Sequence, residues 1–137
     1  MKLLIITACL TLFNMNMPMN RKDNVKQVIT TFIEATDQQD ADAMGATLHD
    51  KAMHYVLFGP NLLTFTKSEY ESRLRDKKLG GLPRKIMFEE FLFSQSNVAT
   101  VKLMATSEEL VFHYQFTLLK STDGWTITSI NATVEKV

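Results

Sequence analysis

From Asp23 onward the apolar positions recur with helical spacing. Val25, Val28, Ile29, Phe32 and Ile33 stand at i, i+3, i+4, i+7 and i+8, the stripe of an amphipathic helix with one face to bury. Asp23 is placed as its N-cap, since a short acidic side chain can accept from the free N–H groups of a first turn. The stripe ends at Asp37-Gln38-Gln39-Asp40, where Asp40 is positioned to cap a second, short helix carrying Ala43, Met44 and Leu48. The period then changes. Residues 52–58 are aromatic and aliphatic, break at Gly59-Pro60-Asn61 and resume over 62–65, which predicts a strand pair around a turn. Thr66-Lys67-Ser68-Glu69 has the spacing of a capping box, so a third helix starts at Thr66 with Tyr70 and Leu74 on its inner side. Leu79-Gly80-Gly81-Leu82-Pro83 ends it.

The remainder reads as four long strands, residues 85–93, 98–105, 109–120 and 125–136, joined by short polar turns. Short turns make neighbouring strands antiparallel. Three helices that cannot bury their stripes alone, together with such a meander, predict an α+β fold: a curved, cone-like antiparallel sheet with the helices packed on one face.

Composition narrows the partners. The 137 residues carry 15 Lys plus Arg against 15 Asp plus Glu, so no net field draws nucleic acid or an anionic membrane. Cys9 is the single cysteine, which rules out an internal disulfide and a cysteine-rich metal site. The eight methionines read as tail residues and core filler, and no metal or cofactor is implied. At the N-terminus, Lys2 precedes an uncharged run over residues 3–13, followed by a polar, Pro-containing stretch. This is the plan of a signal peptide over residues 1–20, cleaved between residues 13 and 20, with the domain occupying 21–137. The run is too short to span a bilayer. Two alternatives stay open: Ile6-Thr7-Ala8-Cys9 as a lipoprotein box with Cys9 lipidated, or a later start at Met15, Met17 or Met19, which leaves the protein in the cytoplasm.

The order helix, helix, strand pair, helix, four-stranded meander resembles the NTF2-like superfamily, and more narrowly the lumazine-binding-like and SnoaL-like bacterial group. The residues that carry the resemblance are the first helix from Val25 to Ala35, Leu48-His49-Asp50, the run from Leu63 through Tyr70, and Leu118-Leu119-Lys120 with Gly124-Trp125-Thr126-Ile127. The resemblance covers residues 23–137. It implies a cone whose mouth holds a pocket, and frequently a dimer, but no particular reaction. Enzymes of this fold typically use a buried carboxylate or a His/Asp pair, often with a Tyr donor. Asp50, Glu90, His54, His113, Tyr55 and Tyr70 are of those types, and none stands at a spacing that compels a role.

The final hairpin decides which side chains share a face. With Thr122-Asp123-Gly124 as a three-residue loop, Ser121 pairs with Trp125 and Gln115 with Asn131. Alternation then puts His113, Gln115, Thr117, Leu119, Trp125, Ile127, Ser129, Asn131 and Thr133 on one face, and Phe112, Tyr114, Phe116, Leu118, Ile130 and Ala132 on the other. Two arrangements are open. In the first, the mixed face lines the cone, with Trp125, Leu119 and Ile127 as an apolar floor, and the apolar face is covered by a second copy of the chain. In the second, Phe112, Tyr114, Phe116 and Leu118 face the helices and the polar set faces outward. The first arrangement implies an exported module that binds a small apolar or aromatic molecule through Tyr55, Tyr70, His113, Gln115, Trp125 and Asn131, and that is a homodimer. The alternatives are an isomerase- or dehydratase-type enzyme with His113 or His54 as proton carrier, or a structural dimer with a filled cone.

Overall fold

The computed structural model describes residues 20–137; the signal-peptide and Cys9 readings fall on residues outside that range. Helix α1 (Arg21–Asp37) and the short α2 (Ala41–Gly45) lead into β1 (Leu48–Phe58) and β2 (Asn61–Thr66), followed by α3 (Lys67–Arg75), β3 (Lys85–Ser94), β4 (Val98–Thr106), β5 (Leu110–Ser121) and β6 (Gly124–Lys136). Helix α1 starts most of a turn before the expected position. Its N-cap is Asn20, whose side chain accepts from the Asp23 amide at 2.9 Å, so Asp23 lies within the first turn rather than capping it. Asp40 caps α2, and Thr66 with Glu69 forms the complete reciprocal capping box of α3.

The six strands form one sheet in the order β2-β1-β6-β5-β4-β3. Four neighbouring pairs are antiparallel, and β1 runs parallel to β6. That single parallel contact lets the N-terminal strand pair complete the sheet beside the C-terminal strand, with β2, α3 and the strands β3 to β5 forming the long connection between β1 and β6. The sheet is curved and does not close. Its ladders are broken by register shifts in β1 between Leu48 and Met53, in β3 between Phe88 and Glu90, and where β5 meets β6 at Thr117/Leu118. Extra residues of this kind bend a strand and increase its twist.

The helices cover the inner face. Val25, Ile29, Phe32 and Ile33 of α1, Met44 of α2, and Tyr70 and Leu74 of α3 are buried against Val101, Leu103, Phe116, Leu118, Ile127 and Ile130 of the sheet. Phe32 sits at the centre, edge-on to Phe116 and stacked on Tyr70. At the β3 edge, Arg21, Lys22 and Lys26 of α1 lie over the rings of Phe93, Phe91 and Phe88. The charged side of the helix thereby shields aromatics that the sheet edge leaves half exposed.

The final hairpin departs from expectation in an instructive way. Ser121 pairs with Gly124, not Trp125, so the loop has two residues and Gly124 takes φ +106. This shifts the near end of the hairpin by one. A bulge at Thr128, whose hydroxyl donates to the Thr117 carbonyl at 3.3 Å, shifts it back, and Gln115 pairs with Asn131 as expected. Residues 125 and 127 consequently face inward while 129, 131 and 133 face outward. The shared face proposed for Trp125, Ile127 and Asn131 is corrected accordingly. So is the apolar dimer face: Phe116 and Leu118 are fully buried under the helices, with Tyr114 beside them and Phe112 partly buried.

Candidate functional site

The open end of the cone is built by the last turn of α1, the loop between α3 and β3, and the inner faces of β1, β5 and β6. Hydrogen bonds pin the loop to the end of α1. The Gly81 amide donates to the Asp37 carbonyl at 3.0 Å, and the Gln39 side-chain amide donates to the Leu79 carbonyl at 2.9 Å. Gly80 passes so close to Thr36, with φ +75, that any Cβ would run into the Thr36 carbonyl oxygen.

Behind this loop stands a buried ion pair. Arg84 donates from Nε to Asp37 Oδ1 at 2.6 Å and from its backbone N–H to Asp37 Oδ2 at 3.0 Å, and its Nη1 donates to the Tyr114 hydroxyl at 2.6 Å. The two side chains are 4% and 9% exposed, so this is a desolvated pair, unlike the solvated Lys67–Asp50 and Lys102–Glu90 pairs. The guanidinium lies over the Phe112 ring, 4.5 Å from its centroid. Burial pushes the Asp37 carboxyl upward against the opposing pull of Arg84. Burial likewise raises the Tyr70 and Tyr114 phenols. Arg84 stays charged, with Tyr114 and Asp37 outweighing its own burial.

Two adjoining chambers open here. The inner one, about 190 Å³, is walled almost entirely by apolar groups, among them Val56, Phe65, Phe112, Tyr114 and Val134, with His54 and Tyr70 at its base. The outer one, about 120 Å³, adds polar walls from Thr36, Asp37, Arg84 and Ser107. Tyr70, Leu79, Leu110 and Phe112 belong to both. His54 is packed among Tyr70, Phe32 and Phe65, with its ring centroid 4.7 Å from that of Tyr70. Burial, assisted by the charge of Arg84, lowers its pKa from 6.5 to about 3, so the imidazole is neutral at ordinary pH. Neither ring nitrogen has a hydrogen-bond partner among the described residues, and nor has Arg84 Nη2. Buried polar groups are almost always satisfied in ordinary core, whereas here His54 beside the inner chamber and Arg84 beside the outer one leave three such atoms unpaired among the described residues.

The residues expected to form one site are dispersed. Tyr70 lies in the cone. Tyr55, His113, Gln115 and Asn131 do come together, but on the outer face of the sheet, where they line an open groove of about 360 Å³ with Lys102 and Glu89. His113 has a carboxylate partner there, Nε2 to Glu135 Oε1 at 2.9 Å, in a pair 46% and 67% exposed. Trp125 lies at the other end of the inner face, edge-on to Phe93, lining neither chamber. Neither Asp37, at the end of the α1 stripe, nor Arg84, between the Leu82-Pro83 break and the next strand, stands in a motif. The one available signal was position: Asp37 closes the α1 stripe and Arg84 follows a Gly-Gly-Leu-Pro break directly before a strand. Among the described residues no three His, Cys, Asp or Glu side chains gather as metal ligands, and no helix is long and apolar enough to cross a membrane.

Comparison with known proteins locates this architecture. The model of a family described as "Putative lumazine-binding" matches residues 20–131. Among solved structures, an NTF-2 like protein of unknown function from Silicibacter pomeroyi DSS-3 superposes with a TM-score of 0.70 at 15% identity, covering 87% of this chain and 100% of its own. An NTF2-like protein from Shewanella baltica OS155 gives 0.73 at 15% identity, over 86% and 98%. A ketosteroid isomerase-like protein from Erwinia carotovora atroseptica SCRI1043 gives 0.64 at 16% identity, over 87% and 98%. At these identities the likeness is one of fold. No curated protein matches the sequence.

Proposed function

The chain belongs to the family described as lumazine-binding, within the NTF2-like superfamily, and on that premise we propose that it is a small-molecule-binding module whose ligand occupies the cone. The observation that carries this reading is the apolar inner chamber with a buried, neutral His54 at its base, whose ring nitrogens have no partner among the described residues. Apolar walls with a few polar groups are what a binding cavity needs, the walls for affinity and the polar groups for orientation. The chamber is smaller than the ~300–1,000 Å³ of drug-sized clefts, which suits a flat ligand of one or two rings. The family description names lumazine, a bicyclic heterocycle of that size.

Binding is favoured over acid-base catalysis by the state of the histidines. A proton carrier works best with a pKa near the operating pH, and His54 is held at about 3. His113 has its carboxylate, but both stand on the outer sheet face, away from both chambers. Calorimetry with lumazine and with small naphthalene derivatives tests the reading. Wild type should bind, and Ala132→Phe, which fills the inner chamber from its β6 wall, should weaken binding at least about tenfold while the circular dichroism spectrum is kept. A wild-type protein that binds none of these compounds removes the reading.

Homodimerisation stands as a proposal with a new surface. Tyr55, Leu57 and Leu62 expose apolar area along the outer groove, and a two-fold partner would cover it. Light scattering should show a dimer that Leu57→Glu dissociates; a monomeric wild type at micromolar concentration would remove it. We further propose that the chain is exported, with residues 1–20 as the leader; the intact mass of protein from the host's envelope fraction should then begin between residues 13 and 20.

A further inference from the structure

Tyr70, Leu79, Leu110 and Phe112 wall both chambers, and so form the partition between them. Three of these side chains are built into the body of the fold. Tyr70 is stacked on Phe32 in the core, Phe112 is stacked on Tyr114 under the Arg84 guanidinium, and Leu110 opens strand β5. Leu79 alone comes from a loop, the one between α3 and β3. The backbone there is held from two sides. At the end of α3, the Lys77 and Lys78 amides donate to the Leu74 and Arg73 carbonyls at 3.1 and 2.9 Å. At the end of α1, Gln39 donates to the Leu79 carbonyl at 2.9 Å and the Gly81 amide donates to the Asp37 carbonyl at 3.0 Å. None of these bonds uses the Leu79 side chain, which packs partly buried against the core. The partition thus contains one side chain that can be shortened without removing anything that holds the loop.

Resting on the reading of the cone as a binding pocket, we propose that Leu79 is its specificity-determining residue: standing between the chambers, it limits the ligand to a flat body of two fused rings. The inner chamber, about 190 Å³, holds such a body alone. Joined to the outer chamber of about 120 Å³, it reaches the ~300 Å³ at which drug-sized clefts begin. In wild type a third ring has to displace Leu79, and the pinned backbone cannot follow, so the added atoms meet the cost of overpacking. The joined cavity has an apolar end and an end with polar walls from Thr36, Asp37, Arg84 and Ser107. It therefore suits a longer ligand whose polar groups lie at one end.

Two ligand pairs, each differing by one fused benzene ring, test this in the full-length protein by calorimetry: lumazine against alloxazine, and 2-naphthol against 2-anthrol. Either pair that binds suffices. To wild type the larger member should bind at least about tenfold more weakly than the smaller, the usual penalty for forcing extra atoms into a packed site. In Leu79→Ala that difference should vanish or invert, because the shortened side chain joins the chambers. Leu82→Ala is the control. Leu82 lines the outer chamber alone and is 38% exposed, so its truncation enlarges that chamber without joining the two, and the difference should stay. Leu79→Val should shift the ratio in the same direction by less, and it decides the matter if Leu79→Ala does not fold. Equal binding of both members to wild type, a Leu79→Ala that keeps the wild-type difference, or a Leu82→Ala that loses it would overturn the proposal while leaving the cone as a binding site. Failure of all four compounds to bind wild type would remove both.

Discussion

His54 offers the sharpest quantitative test of how the cone is built. In the unfolded chain a histidine takes up its proton near pH 6.5, whereas burial and the Arg84 charge hold His54 at about 3. Between these values the unfolded state binds a proton that the folded state refuses. The contribution to stability is therefore complete above pH 6.5 and is lost progressively as pH falls toward 3. At one pKa unit per 1.36 kcal/mol, the loss relative to pH 7.5 is about 2 kcal/mol at pH 5 and about 3 kcal/mol at pH 4. His54→Phe removes the titration and the two unpaired nitrogens together, and it places a ring among Phe32, Phe65 and Tyr70. The variant should be at least as stable as wild type at pH 7.5, because an unsatisfied buried polar group costs about 1–3 kcal/mol. It should gain a further ~2 kcal/mol over wild type at pH 5. Urea unfolding midpoints measured in parallel from pH 7.5 to 4 give the difference directly, and the exposed His49 and His113, common to both proteins, cancel from it. Parallel curves for the two proteins would mean that His54 titrates normally, and the account of His54 as a desolvated group beside an apolar chamber would fall with it.

Other expectations follow from the same geometry. Asp37→Asn should lower stability by about 3 kcal/mol at pH 7 in urea titrations, since it leaves a buried guanidinium without its carboxylate. Gly80→Ala should cost at least about 1–3 kcal/mol, because φ +75 and the Thr36 carbonyl both oppose a side chain there; thermal melting reads it. Phe116→Glu should give insoluble or unfolded protein rather than a soluble monomer, as position 116 faces the helices and not a partner; size exclusion distinguishes these outcomes. Trp125 lines neither chamber, so Trp125→Phe should leave the affinity of a cone ligand within about twofold of wild type, a change far below one hydrogen bond's worth.

Local chemistry determined much of this protein. The 3.6-residue stripe of α1, the Asp40 cap, the Thr66–Glu69 capping box and the polar turns between the last four strands each depend on neighbours a few residues apart, and the elements stand where those signals place them. From their order the α+β fold and its NTF2-like character were legible. Even the pairing of Gln115 with Asn131 was, although one residue lost in the turn and one gained in the Thr128 bulge compensate to produce it. What local pattern does not encode is which side of a strand meets the helices. Side chains alternate with period two, so a single extra residue reverses every position beyond it, and the bulge separates Trp125 from Asn131 in that way. The alternation of β5 fits either orientation; only the stripe of α1, which must cover Phe116 and Leu118 rather than His113 and Gln115, selects one. The cone's chemistry lay still further from view. Asp37 and Arg84 are 47 residues apart in sequence, and their pairing, the lowered pKa of His54 and the unpaired Nη2 exist only once the α3–β3 loop has folded across the end of α1. Contacts at that separation arise from chain closure and shared desolvation, and neither leaves a period in the sequence.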